Sequence, residues 1–183
     1  MLFGQVMLDD FDAILNPYVS YSGNVLQGPQ QNCCTASPPY NFNLNGDTTK
    51  YASVQQGQTS VFSTTPGHAL TSFSFYLGSP DPYNTISFYN GVTQLASFSG
   101  DAIWGGAGGA SQGQRDWGYR IYYNFGGAQV TSITFDSTPQ NAFEFDGLAG
   151  TAVPEPATWG LMIAGFGGIG AVLRRRRQTL VAA

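Results

Sequence analysis

Turn-forming residues punctuate the first 150 positions so often that no amphipathic helical pattern fits between them. They occur at Asn16-Pro17, Gly28-Pro29, Ser37-Pro38-Pro39, Asn45-Gly46, Pro66-Gly67, Gly78-Ser79-Pro80, Asn90-Gly91, Gly126-Gly127 and Thr138-Pro139. Glycine admits positive φ, while proline fixes its own φ and removes a hydrogen-bond donor, so each pair favours a turn. The runs between them alternate with the period of a strand. Phe73, Phe75 and Leu77 share one face, Ile86 and Phe88 another, and Tyr119, Ile121, Tyr123 and Phe125 a third, with Arg120, Tyr122 and Asn124 opposite. Val130–Phe135 and Ala142–Phe145 are further strand candidates. Asn90-Gly91, between Ile86–Tyr89 and Val92–Phe98, predicts a hairpin with a type I′ turn. The pattern predicts an all-β body, an antiparallel β-sandwich or jelly-roll-like domain over residues 1–150, with the inward aromatics as its core.

Charged residues make up 10% of the chain, against about 25% in an average protein. Solubility therefore rests on neutral polar groups, as in extracellular β-proteins. Three basic and ten acidic residues precede Val153, a charge of −7. Nucleic acid would repel such a body, because phosphate neutralisation dominates that binding. Cys33 and Cys34 are adjacent and are the only cysteines. They build neither a disulfide framework nor a four-ligand zinc site; two small loop residues, a vicinal disulfide and an intermolecular bridge all stay open. The opening Met1–Leu8 lacks the basic start of a secretory leader and soon meets Asp9, Asp10 and Asp12. The expectation is that the natural chain carries its leader upstream of Met1.

The C-terminal end reads differently from the body. Residues 151–156 form a linker holding Pro154, Glu155 and Pro156, and the prolines keep it extended. Residues 157–173 are free of charge; a helix of that length spans about 26 Å, marginal for a bilayer core of about 30 Å. Arg174, Arg175, Arg176 and Arg177 follow, in a tail of residues 174–183. By the positive-inside rule they place that end in the cytoplasm and the body across the membrane. The expectation is a single C-terminal transmembrane helix.

Val153-Pro154-Glu155-Pro156, with Trp159, Gly165, Phe166, Gly167 and the arginine run, resembles the PEP-CTERM sorting tail, a segment also labelled the ice-binding protein C-terminal domain. The resemblance implies recognition by exosortase, a membrane protease, then transfer from the inner membrane to the cell surface or extracellular matrix. It does not imply ice binding, since the body has no regular Thr-x-Thr ladder. More loosely, Phe73–Ile86 and Ala142–Asp146 resemble the β-sandwich ectodomains that precede such tails, which implies architecture and no activity.

Catalytic signals are absent. His68 is the only histidine and sits beside the turn Pro66-Gly67, and no nucleophile elbow is present. Two carboxylates suffice for glycosidase chemistry, so Asp81, Asp101, Asp116, Asp136 and Glu144 stay open to it. The connection from Gly100 to Gly118 exceeds ordinary loop length and is flanked by Trp104 and Trp117. These rings stack on a sugar or cover the end of the sandwich, and both readings stand. Asp9, Asp10 and Asp12 beside the first apolar run, with Glu144 and Asp146 on one face of the last, would form an acidic edge for a calcium ion if the first and last strands pair. A solvated acidic edge without metal is the alternative. The expected protein is an exported, exosortase-processed, non-catalytic surface or matrix protein that binds exopolysaccharide. A surface polysaccharide hydrolase and a permanently anchored surface protein are the alternatives.

Overall fold

The computed structural model describes residues 4–30, 32, 34–38, 48–78, 81–103, 119–154, 160–169 and 173–174. Eleven strands are described: β1 (Val6–Asp9), β2 (Val19–Ser22), β3 (Val25–Gln27), β4 (Lys50–Val54), β5 (Gln58–Thr64), β6 (His68–Leu77), β7 (Asn84–Asn90), β8 (Thr93–Ser99), β9 (Tyr119–Asn124), β10 (Ser132–Ser137) and β11 (Phe143–Pro154). A four-residue helix, α1 (Gly100–Ile103), follows β8. The chain divides into two compact units, Met1–Val153 and Pro154–Ala183.

The first unit is built from two antiparallel sheets. One has the order β3-β4-β11-β6-β9, with β1 also paired to β11; the other has the order β2-β5-β10-β7-β8. From β4 onward each successive strand changes sheet, except at the β7–β8 hairpin. That winding is of the jelly-roll type, in which neighbours in the sheet are distant in sequence. In the hairpin Asn90 pairs with Thr93, so the two loop residues are Gly91 and Val92, and Gly91 has φ 57°. The turn lies one residue later than the I′ expectation. A single positive φ at the first central position suits glycine, and Asn90 is released to the strand.

Phenylalanine fills the space between the sheets. Phe73, Phe75, Phe143 and Phe145 come from the first sheet, and Phe62, Phe88 and Phe135 from the second; all are fully buried. Phe135 stacks on Phe145 across the layers at 3.9 Å between ring centroids, while Phe75 meets Phe135 edge-on at 5.7 Å. Burying each such side chain contributes about 1.5–3 kcal/mol. The period-2 expectation therefore holds for β6 and β7. It holds less well for β9, where Tyr119 is exposed and Ile121 and Tyr123 only partly cover the core.

In the second unit, residues 160–169 and 173–174 are helical, with Leu161, Ile163 and Phe166 exposed. Among the described residues no helix is long and apolar enough to cross a membrane. The expected spanning segment 157–173 includes residues outside those described.

Candidate functional site

The acidic residues near the N-terminus shape a loop. Asp9 ends β1, and its Oδ1 accepts the Phe11 N–H at 2.8 Å. Asp10 Oδ1 accepts three backbone N–H groups, from Asp12 at 3.1 Å, Ala13 at 2.9 Å and Ile14 at 2.7 Å. The Asp12 carboxylate accepts the Lys50 N–H at 3.2 and 3.3 Å. The Asp9 and Asp10 bonds are the local side-chain-to-backbone bonds that Asp makes wherever a turn competes with regular structure, while the Asp12 bond ties the loop to β4. They hold Phe11 at φ 59°, an uncommon conformation for a bulky residue. Its ring packs edge-on against Tyr21 at 5.0 Å and Phe145 at 6.2 Å, closing this end of the core.

A cleft of about 370 Å³ opens beside this loop, walled by Asp9, Phe11, Asp12, Ile14, Tyr21 and Val25 among others. Asp9 is only 7% exposed. Burial raises its carboxyl above the usual range, with the Asp10 charge adding to the rise and the Phe11 hydrogen bond opposing it. Burial likewise pushes the Tyr21 phenol up to about 12, and the Asp9 charge contributes. Tyr21 Oη and Ser60 Oγ are buried near one another but outside hydrogen-bonding geometry. For Asp10, burial acts upward, but the backbone hydrogen bonds prevail and lower the carboxyl. A second, smaller cavity of about 240 Å³ lies between the free edges of the sheets, where Phe88, Phe98, Tyr123 and Phe125 approach one another.

The five expected calcium ligands do not converge. β1 does pair with β11, with Val6 opposite Gly150 and Asp9 opposite Leu148. β11, however, is no edge: β4 and β6 flank it, and Glu144 and Asp146 are each only 5% exposed. Asp146 Oδ1 accepts its neighbour's N–H from Gly147 at 2.6 Å. Glu144 lies near Tyr83, whose phenol burial raises most, followed by the charges of Asp81 and Glu144. Glu144 and Asp146 therefore form no solvated acidic edge, because β11 is covered on its outward face as well as on its core face. Among the described residues no group of three or more His, Cys, Asp or Glu side chains is placed to hold a metal ion.

His68 opens β6 and stacks on Tyr18 at 4.2 Å, with Nδ1 3.3 Å from Thr65 Oγ1, so its contacts are structural. Cys34 is disulfide-bonded, and Cys33 lies outside the described residues. Trp104 and Trp117 lie outside the described residues, as do Glu155, Pro156, Trp159, Arg175, Arg176 and Arg177. Pro154 is the last residue of β11; Gly165, Phe166 and Gly167 are helical, and so is Arg174. The sequence reading missed the cleft, because its walls come from three strands and a loop. The one local signal was the Asp-Asp-Phe-Asp run at positions 9–12, which marks a side-chain-capped turn.

Residues 152–177 match the family model of the PEP-CTERM protein-sorting motif. The chain carries a PEP-CTERM sorting motif. The motif begins where the first compact unit ends, one residue before its boundary at Val153. No curated protein matches the chain. Among solved structures, the catalytic domain of a GH87 α-1,3-glucanase in complex with tetrasaccharides overlaps it at 11% identity and a TM-score of 0.44, covering 84% of this chain and 29% of that one. The catalytic unit of a thermostable GH87 α-1,3-glucanase from Streptomyces thermodiastaticus overlaps it at 16% identity and a TM-score of 0.40, covering 75% and 24%.

Proposed function

We propose that this protein is exported, held in the inner membrane by residues 157–173, cut by exosortase at the Pro154-Glu155-Pro156 region and delivered to the cell surface or matrix. The sorting motif over residues 152–177 carries this reading. Two features support it. β11 ends at Pro154, so the folded body stops where the protease would act. The helical residues beyond it expose Leu161 (76%), Ile163 (71%) and Phe166 (71%), a surface that hydrocarbon would cover.

The body then acts as a non-catalytic binder of extracellular polysaccharide. In the cleft beside the aspartate loop Asp9 and Asp12 each already accept a backbone N–H, which suits positioning more than proton transfer. Incubation with the producing organism's polymer tests this: the polymer stays full length if the protein only binds, and shorter fragments would move the reading to a hydrolase. Mass spectrometry of the surface form tests the sorting. The expected C-terminus lies near residues 154–156, and peptides from Gln178–Ala183 on the surface form would overturn the proposal. Replacing Pro154, Glu155 and Pro156 by alanine should leave the protein in the inner membrane.

A further inference from the structure

We infer that the cleft beside Asp9 is the site of that binding and takes one residue of a neutral saccharide, an assignment that rests on the surface-binding reading above. Its volume of about 370 Å³ falls within the range of small-ligand clefts, about 300–1,000 Å³. Among the described residues no Lys, Arg or His lines it, and Asp9 and Asp12 are the charged walls. An anionic ligand is therefore repelled.

The polar side of the cleft asks for donors. An ionised carboxylate accepts about four hydrogen bonds and donates none. The backbone N–H of Phe11 occupies one position on the nine-tenths-buried Asp9. Sugar hydroxyls fill such positions, and Ser20, also in the wall, donates or accepts in turn. A metal ion finds no set of three ligands here among the described residues.

The remaining wall is apolar and open. Leu15 is 61% exposed, Ile14 47% and Val25 37%, beside the rings of Phe11 and Tyr21. A pyranose presents a C–H face to such a surface and hydroxyls at its rim, whereas an ammonium group would leave the wall uncovered. The Asp9 and Asp10 hydrogen bonds set the loop before any ligand arrives, which reduces the ordering cost of binding.

The test uses the full chain, purified in detergent, on immobilised neutral oligosaccharides of glucose, galactose and mannose, with oligogalacturonate and an alkylamine alongside. Retention on at least one neutral oligosaccharide is expected, unchanged between about 0.1 and 1 M salt because no ion pair is involved. Asp9→Asn keeps an acceptor for the Phe11 N–H and should weaken retention about tenfold. Leu15→Glu, at an exposed position that leaves folding intact, should do the same. Retention on the amine or the uronate alone, on no neutral sugar, or undiminished in both variants would overturn the assignment. A correctly cut surface form that retains no neutral sugar sinks the ligand and leaves the sorting standing; an uncut form that still binds does the reverse.

Discussion

Asp9 carries its charge in a buried place, and the sign of the consequence is definite. Its carboxyl is raised above 3.8, so at acidic pH the folded state holds the proton more tightly than the unfolded chain does. The stability this linkage supplies is complete below the unfolded value and is lost as pH rises through the folded one. Asp9→Asn should therefore gain stability over the native chain at pH 7 and lose that advantage near pH 3, where both side chains are neutral. Urea midpoints at the two pH values measure this, and an advantage that is equal at both would contradict it. The same residue shows how far local reading reaches. Asp9, Asp10 and Asp12 were legible as a cluster, but whether they face a metal or their own backbone depends on where the chain turns next. The positive φ of Phe11 is not fixed by that run alone, since it follows from the side-chain bonds together with the core behind it.

Strands were legible where apolar residues alternate with polar ones. β6 and β7 present Phe73, Phe75, Ile86 and Phe88 inward, and alternation revealed them. β11 deceived the pattern in a different way. Phe143 and Phe145 alternate with Glu144 and Asp146, yet all four are buried because strands lie on both sides and the outer face is covered. The packing between the layers is where most of the stability resides. Phe135 on β10 meets Phe73, Phe75, Phe143 and Phe145 of the opposite sheet. Phe135→Ala should cost about 3–5 kcal/mol, the usual range for a buried ring lost from a core that cannot close around the gap. Urea unfolding checks this; a loss below about 1 kcal/mol would show that the two sheets are not held together there.

At the scale of the whole molecule, the dispersal of the carboxylates predicts indifference to calcium. A ligand that binds only the folded state must raise the melting midpoint, so melts in excess chelator and in millimolar calcium should superimpose. A clear upward shift would mean that Asp9, Asp12 or another carboxylate leaves its backbone partner for the ion. By itself the sequence determined a strand-rich body of two-sheet type, its aromatic core and the sorting motif at its end, because alternation, turn residues and a short linear motif are all local. Tertiary structure alone decided that β11 is interior, that β1 caps its C-terminal half and that a loop of aspartates closes on Phe11 beside a cleft. In a jelly-roll winding strands that neighbour one another are remote in sequence, so which strands pair, and what their side chains meet, is set by the packing of the two sheets as a whole.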